Sequence, residues 1–360
     1  MAHPDTRQLL EDAERICAVP APTFAEERRA ELVREMLGAA GVVARIDAVG
    51  NVVCAVGPEG EPAAVLAAHL DTVFPAEQAI EIRHTEGRIH APGIGDNSIG
   101  VAALVHLARC LAPLAPPRRV VLAATVGEEG LGDLRGAKHL LRTVPCRAFV
   151  AVEGMMLDAL KTGGVGSTRY RVIYEGPGGH SWGDRGTPSA LHGLIEAAAR
   201  FLALPAPPGV ARNVGRLAGG TSINTIAAQA TLELDLRAEA PQGLRTAAAA
   251  ARETFAAAPT GLRAHVELIG ERPSGAIAPD HPLLEAARHA RAASGLPPAR
   301  EGASSTDANA AYGLGIPAVT VGLTTGGDAH RAQEYVDLAP LPAGLAALER
   351  LAWALAGLEG

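Results

Sequence analysis

Three short runs of almost uninterrupted apolar residues constrain the fold of this chain more than any other feature. They lie at residues 63–70, 118–126 and 148–152, and the stretches between them, at 99–111 and 133–143, have helical character. Strands that are apolar on both faces are typical of a parallel sheet that is covered by helices on both sides. The sequence therefore predicts an α/β fold with a mostly parallel sheet for this half of the chain.

The middle of the chain has a different order of predicted elements. Strands at residues 167–175, 210–217, 230–237 and 263–269 and helices at 188–204 and 241–258 follow one another as β-α-β-β-α-β. This order is the split βαβ arrangement. Glycine-rich turns at 163–166 and 270–275 flank it, and helix and strand alternate again from residue 279. We therefore expect a discontinuous larger domain of residues 1–165 and 271–360, interrupted by a smaller domain of residues 166–270.

Charge and cysteine content argue against several classes of protein. The 360 residues carry a net charge of −7 and no long basic run, whereas nucleic-acid binding requires a basic face. The four cysteines are scattered without a CxxC pair, which favours reduced thiols over disulfides or a thiolate metal site. No stretch reads as a membrane helix of about 18 uninterrupted apolar residues, and charges interrupt the N-terminal stretch where a signal peptide is apolar. We expect a cytoplasmic protein that binds neither membranes nor nucleic acids.

Acidic and imidazole side chains follow the predicted strands. His69 and Asp71 end the first apolar run, Glu128 and Glu129 follow the second, and Glu153 ends the third. Each of these has a plain structural explanation when it is taken alone, such as a polar strand end or glutamates that complement a helix dipole.

Two further residues complete this pattern. Asp96 lies just before a predicted helix, where it could equally serve as an N-cap, and His330 lies in a glycine-rich loop after a strand at 318–322. The carboxyl ends of parallel strands share one edge of a sheet, and carboxylates crowded there raise one another's pKa values. Two divalent cations with a bridging hydroxide would balance the three charges of Asp96, Glu129 and Glu153. Nitrogen and oxygen ligands suit zinc, cobalt or manganese, and a pair of such ions activates water and polarises a carbonyl.

Seven segments, in chain order, resemble the M20 family of metallopeptidases and amidohydrolases. They are HLDTV, GIGDNSIG, GEEG, VEG, GGHSWGD, SSTDAN and GGDAHRAQEYV, and they span nearly the whole chain. The resemblance implies a zinc-peptidase-like α/β domain, interrupted by a ferredoxin-like α+β lid domain that commonly forms a homodimer. It also implies two metal ions, most simply zinc. His69 and Glu153 would bind one metal, Glu129 and His330 the other, and Asp96 would bridge the two.

The resemblance assigns catalytic roles as well. Asp71 would orient His69, and Glu128 would be the general base that takes a proton from the bridging water and passes it to the leaving amine. His180 would reach the partner subunit's site and stabilise the oxyanion, although the residue type also fits a solvated loop.

Three residues match positions that bind the substrate's carboxylate in some relatives. They are Asn224, Arg237 and, with less support, Arg272, and each of them could equally be a surface residue at a strand end. A guanidinium is well suited to holding a carboxylate in a bidentate pair.

The leading functional prediction is a dinuclear metal exopeptidase for short peptides, because the GPGGHSW and GGTSIN segments look closer to peptidase T-like members than to desuccinylases. The main alternative is an N-acyl-amino-acid deacylase similar to acetylornithine deacetylase. A minor alternative is a non-catalytic, metal-stabilised binding protein. The residues around Gly166-Ser167 and Ala303-Ser304-Ser305 do not match the nucleophile elbow of a serine hydrolase.

Overall fold

The computed structural model describes residues 6–358, which divide into two compact units. The smaller unit is Val165–Gly275, and the larger unit comprises the chain up to Gly164 and from Ala276 onward. The boundaries expected from the sequence differ from these by one residue at the first crossing and by five at the second.

Elements are numbered in chain order, and β9–β14, α5 and α6 belong to the smaller unit. The strands of the larger unit are β1 Ala44–Ile46, β2 Val52–Val56, β3 Ala63–His69, β4 Arg83–Thr85, β5 Arg88–His90, β6 Val120–Thr125, β7 Cys146–Glu153, β8 Ala159–Gly164, β15 Gly275–Ala276 at the boundary, β16 Arg300–Ser304, β17 Ala318–Gly322, β18 Gly326–Gly327 and β19 Tyr335–Asp337. Its helices are α1 Thr6–Cys17, α2 Glu27–Ala39, α3 Ile99–Leu111, α4 Arg135–Thr143, α7 Pro282–Ala293, α8 Ala308–Tyr312 and α9 Leu341–Ala356.

The central sheet of the larger unit has the strand order β1-β2-β6-β3-β7-β17-β8-β15, with β16 beside β8. Its middle is parallel, because β3 pairs in parallel with both β6 and β7, and β17 pairs in parallel with β7. This order brings the carboxyl ends of β6, β3, β7 and β17 side by side at one edge. The loops that carry chemistry in open α/β sheets leave from that edge.

Both faces of this sheet are covered, as the apolar strands predict. Along β3, Leu66 and its even-numbered neighbours pack into one core with residues of α1, α3 and α9. Val65 and its odd-numbered neighbours pack into a second core with α4 and α8. Alternate side chains of a strand point to opposite faces, so the continuous apolar run serves two cores at once. The predicted α/β class with a mostly parallel, helix-covered sheet is confirmed.

One helical stretch among the described residues, Ile94–Leu114, has the length and mean hydropathy (1.3) of a membrane span. Of its most apolar window, 72% is buried inside the protein. The stretch contains α3, whose residues are nearly all buried in the core shared with α1 and α9. Its apolar character therefore matches its place in the core of the larger unit.

The smaller unit consists of β9 Gly166–Glu175, β10 Gly179–His180, α5 Ala190–Ala203, β11 Ala211–Gly219, β12 Thr225–Ile226, β13 Gln229–Ala238, α6 Pro241–Ala256 and β14 Arg263–Arg272. Its four long strands form an antiparallel sheet in the order β11-β13-β9-β14. Alternate residues of β13, such as Leu232 and Leu234, pack against Phe201 of α5 and Phe255 of α6. This is the predicted β-α-β-β-α-β unit with two helices on one face of the sheet.

The prediction of a glycine-rich turn at residues 163–166 is wrong. Gly164 ends β8 and Gly166 begins β9, so this segment is extended rather than turned. Gly164 is required by close packing, since a Cβ there would lie 2.7 Å from Nδ2 of Asn309.

Candidate metal centre

His69 is the last residue of β3, and its imidazole is buried at the carboxyl edge of the central sheet. Its Nδ1 lies 2.9 Å from the backbone carbonyl oxygen of Asp71, which can only accept a hydrogen bond. Nδ1 therefore carries a proton, and Nε2 faces the carboxylates. Nε2 is 3.0 Å from Oδ1 of Asp96 and 3.7 Å from Oε2 of Glu153, the last residue of β7.

Asp96 lies between two histidines. While its Oδ1 faces His69, its Oδ2 is 3.2 Å from Nε2 of His330, which is also 3.2 Å from Oε1 of Glu129. Two groups of three donor atoms result, and within each group all atoms lie within 4.8 Å of one another. The first group is His69, Asp96 and Glu153; the second is Asp96, Glu129 and His330, and they share Asp96.

This donor set fits two divalent cations of the zinc type. Each group offers one imidazole nitrogen and two carboxylate oxygens without a thiolate, which matches the ligands of catalytic zinc sites and leaves a position for water. The shared aspartate presents a separate oxygen to each group, as a carboxylate that bridges two cations can do. The residues present therefore fit the metals that the sequence predicts.

The electrostatics of the cluster point to the same need for positive charge. Burial raises the pKa of Glu153 to about 7, and the nearby charge of Asp96 adds to this effect although His69 opposes it. Hydrogen bonds to Asp96 and Glu129 raise the pKa of His330 to about 10. Burial acts against ionisation of Asp96, but hydrogen bonds from His330 and His69 hold its pKa well below the usual range. Protonated imidazoles thus supply the charge that cations would supply.

Asp71 anchors the loop that follows β6. Its carboxylate accepts hydrogen bonds from the backbone N–H groups of Glu128 and Glu129, each at 2.9 Å, and from Oγ1 of Thr23 at 2.8 Å. The distance from its Oδ1 to Nδ1 of His69 is 3.7 Å, longer than a hydrogen bond. The His69 ring is therefore oriented by the Asp71 carbonyl, while the carboxylate positions the two glutamates.

Glu128 lies beside the ligands without belonging to either three-atom group that contains Asp96. One of its carboxylate oxygens is within 4.8 Å of a ring nitrogen of His69 and of a carboxylate oxygen of Glu129, and the residue is buried. This position would allow it to face a water molecule or substrate at the centre.

Sequence reasoning missed two residues that position this site. Glu334 is completely buried, and its carboxylate accepts hydrogen bonds from the backbone N–H groups of Gly93 (3.1 Å), Gly95 (2.7 Å) and Asp96 (2.8 Å). Asn97 donates from Nδ2 to Oε2 of Glu153 at 3.0 Å and so joins the Asp96 loop to the end of β7. Glu334 lies inside the segment GGDAHRAQEYV, so its nearness in sequence to His330 was the only available signal.

In the smaller unit, His180 and Asn224 lie close together. His180 in β10 pairs with Thr225 in β12, and Ser181 donates its backbone N–H to the carbonyl oxygen of Asn224 at 2.9 Å. Nδ1 of His180 accepts hydrogen bonds from the backbone N–H groups of Trp182 and Gly183, each at 3.2 Å. An Nδ1 that accepts hydrogen bonds leaves the proton of a neutral imidazole on Nε2.

Arg237 and Arg272 lie elsewhere in the same unit. Both residues pair with Ser167, one on each neighbouring strand. Nε of Arg237 donates to Oδ2 of Asp235 at 2.7 Å, whereas Arg272 is buried. Arg237 and Gln229 are eight positions apart on β13, which is roughly 26 Å at ~3.3 Å per residue. The segment that carries His180 leaves the sheet near Gln229, at the opposite end of this strand from Arg237. The structure therefore brings the seven site residues of the larger unit together, and it places the four site residues of the smaller unit in two pairs, His180 with Asn224 and Arg237 with Arg272.

Known proteins share this sequence pattern and this fold. The model of peptidase family M20/M25/M40 matches residues 65–354. A tripeptidase from Staphylococcus aureus has a TM-score of 0.80 at 20% identity, with 99% of this chain and 100% of that chain covered. Aminopeptidase PepT from Bacillus cereus has a TM-score of 0.76 at 22% identity, with coverage of 97% and 99%. The Bacillus subtilis protein YXEP, described as a dinuclear metal binding peptidase, has a TM-score of 0.68 at 19% identity and 97% coverage of each chain.

Proposed function

Because the chain belongs to peptidase family M20/M25/M40, a family of metal-dependent hydrolases, we propose that it is a dinuclear metal exopeptidase that cleaves the amide bond of short peptides. The family match confirms the predicted family and the predicted hydrolase class. The number of metals, the substrate and the roles of individual residues are our proposal.

One observation carries this proposal. The two carboxylate oxygens of Asp96 lie 3.0 Å and 3.2 Å from the Nε2 atoms of His69 and His330, residues 261 positions apart in the chain. In the proposal, His69 and Glu153 hold one cation, Glu129 and His330 hold the other, and Asp96 binds both. When bound, the two ions, zinc or alternatively cobalt or manganese, supply positive charge that polarises the scissile carbonyl and acidifies a water molecule.

Glu128 is the proposed general base. Its buried carboxylate takes a proton from the attacking water and returns that proton to the amine nitrogen as the amide bond breaks. Asp71 supports this role because it fixes the backbone N–H groups of Glu128 and Glu129 through two hydrogen bonds of 2.9 Å. A base held in this way needs little reorganisation when the proton moves.

His180 is proposed to donate a hydrogen bond to the oxygen of the carbonyl under attack. Its Nδ1 accepts two backbone hydrogen bonds, so the neutral ring has a proton on Nε2 available for donation. Asn224, Arg237 and Arg272 are proposed to bind the free carboxylate of the substrate. Asn224 lies at one end of the smaller unit's sheet and the two arginines at the other, which supports contributions from two different subunits.

A homodimer through the smaller unit is part of this proposal. Strand β11 is at the edge of the antiparallel sheet, and most of its residues are exposed. Apolar side chains elsewhere in the same unit are also exposed, among them Trp182 and Ile223. Unpaired strand edges with exposed apolar neighbours favour pairing with another chain. We also propose a cytoplasmic location, which the four free cysteines support.

Metal analysis combined with chelation and re-addition tests the proposed function. We expect peptide cleavage to disappear with the metals and to return with zinc, cobalt or manganese. Glu128→Gln should keep the metals and lose activity, whereas Glu86→Gln, at an exposed glutamate in the turn between β4 and β5, should behave like the wild type. Activity that survives in Glu128→Gln would refute the assignment of the base.

A substrate panel separates the exopeptidase from the deacylase. Dipeptides and tripeptides are compared with N-acetyl and N-succinyl amino acids under identical conditions. Faster turnover of the acylated amino acids would favour the deacylase, and no turnover of either class by the metal-loaded protein would favour a binding protein.

A complementation experiment tests the role of His180 across subunits. Glu128→Gln and His180→Ala are each expected to be inactive. After co-expression, half the dimers should be mixed and each should contain one intact site, so about a quarter of the wild-type activity should return. Mixed dimers without activity would show that His180 does not act on the partner's site.

A further inference from the structure

A second cluster of metal-ligand side chains lies where α3 and α9 meet. His106 and Cys110 are four residues apart on α3, so both lie on the same face of that helix. Glu349 reaches them from α9. Nε2 of His106 is 2.6 Å from Oε1 of Glu349 and 3.5 Å from Sγ of Cys110, and the sulfur is 3.9 Å from the same carboxylate oxygen.

The three donor atoms lie close enough together to bind a single metal ion. The same nitrogen of His106 faces both Cys110 and Glu349, so the arrangement is not a relay in which the two ring nitrogens contact different partners. Around a tetrahedral zinc ion, a sulfur lies about 3.5 Å from a nitrogen or oxygen ligand, and nitrogen and oxygen lie about 3.3 Å apart. Two of the three distances come within ~0.4 Å of these values, and the His106–Glu349 pair would need to open by ~0.7 Å.

The surroundings of the cluster fit a structural ion. The side chains of His106 and Glu349 are only 11% and 12% exposed, which leaves a small opening for a water molecule as fourth ligand. Arg109, the cationic residue that precedes Cys110, forms its ion pair with Asp12, because its Nη1 donates to Oδ2 of Asp12 at 2.6 Å. A cation that binds here would displace the protons that these ligands carry, so its binding would release protons.

We propose that His106, Cys110 and Glu349 bind one zinc ion that ties α3 to α9. The site is separate from the strand-end centre, whose two donor groups contain no thiolate. Since α3 begins directly after the loop that carries Asp96, the ion would fix the helix from which that loop extends. From the sequence we expected no thiolate metal site, because the four cysteines form no CxxC pair. That expectation did not include a cysteine that lies one helical turn from a histidine.

Cobalt substitution tests this site independently of the proposed function. The reduced, metal-free full-length protein is titrated with Co²⁺, and the near-ultraviolet charge-transfer absorption of a thiolate–cobalt bond is recorded. Only a site with a cysteine ligand produces this band, so occupancy of the strand-end centre does not contribute. At saturating Co²⁺ we expect the wild type to show the band at an intensity of one thiolate–cobalt bond per chain, whichever site fills first.

Matched variants locate the signal. Cys110→Ser should lose the band, whereas Cys146→Ser, at the other partly buried cysteine, should keep it. Glu349→Gln retains the shape of the side chain and should weaken Co²⁺ binding roughly tenfold or more. Circular dichroism of each variant establishes that it is folded before the titration.

Two results would overturn the proposal. The first is a wild-type protein without a thiolate band at saturating Co²⁺, and the second is a band that persists in Cys110→Ser. Because Cys110 lies outside the strand-end centre, Cys110→Ser should still cleave peptides. A variant that loses the band but keeps this activity would show that the band comes from the site between α3 and α9 and not from the strand-end centre.

Discussion

Replacement of Glu334 by glutamine tests whether a buried carboxylate holds the loop that carries Asp96. Oε1 of Glu334 accepts hydrogen bonds from the backbone N–H groups of Gly95 and Asp96, and Oε2 accepts one from Gly93. Glutamine has the same shape but replaces one oxygen by an NH₂ group. If the amide oxygen keeps the two shorter bonds, the NH₂ group faces the N–H of Gly93, and two donors oppose each other.

The magnitude follows from this one lost bond. A buried donor without an acceptor costs about 1–3 kcal/mol of unfolding free energy. Burial raises the pKa of Glu334 to about 7, so the carboxylate is itself costly to bury, and a neutral amide recovers part of this cost. We therefore expect a loss near the lower end of the range. In a unit of this size, each kcal/mol lowers the Tm by about 2–4 °C. Weaker positioning of Asp96 should also reduce zinc affinity by about 10–100-fold.

Thermal unfolding of the chelated protein and zinc competition against a chromophoric chelator measure the two effects separately. Glu334→Ala removes all three bonds and should be less stable than Glu334→Gln, and the exposed Glu86→Gln serves as the control. A Glu334→Gln variant with the Tm and the zinc affinity of the wild type would refute the positioning role.

Three further predictions follow from individual contacts. Gly154→Ala should lower stability by about 1–3 kcal/mol in urea unfolding, because a Cβ there would lie 2.2 Å from the carbonyl oxygen of Gly95; unchanged stability would contradict this close approach. Tyr174→Phe should cost about 0.5–1.5 kcal/mol, because its hydroxyl donates to the carbonyl oxygen of Phe255 at 2.8 Å, and zinc affinity should not change. Removal of divalent metals should lower the Tm, since cations bind only the folded arrangement of the strand-end ligands, and an equal Tm with and without metal would argue against that site.

The long elements of this fold could be predicted from the sequence because each carries its own signal. The apolar run of β3 predicts a strand buried on both faces, and all seven of its residues are buried. The amphipathic helix α5 and the alternating strand β13 are equally visible, so the order of elements in the smaller unit was predictable as well.

The short strands could not be predicted, because their partners lie far away in the chain. Strands β10 and β12 contain two residues each and exist only because Gly179 pairs with Ile226 and His180 with Thr225. No periodicity can appear in two residues. The strands β18 and β19 have the same origin, since they join a small antiparallel sheet with β4 and β5.

The site was predictable to the extent that residues at strand ends converge at one sheet edge. The choice of His330 as a partner of Asp96 depended on resemblance, since nothing in the local sequence links the two residues. What Asp71 and Glu334 do was not readable, because both carboxylates bind backbone N–H groups of distant segments. A carboxylate that binds backbone N–H groups does not require particular residue types at the positions it contacts, so the sequence does not reveal these contacts.

Anomalous diffraction at the zinc absorption edge, from crystals of the zinc-loaded protein, shows how many zinc ions bind Asp96. We expect two peaks about 3.5–4 Å apart at the carboxyl edge of the central sheet, one bound to each oxygen of Asp96. One of the ions should also contact His69 and Glu153, and the other Glu129 and His330. A single peak at this edge, or none within bonding distance of Asp96, would contradict this expectation.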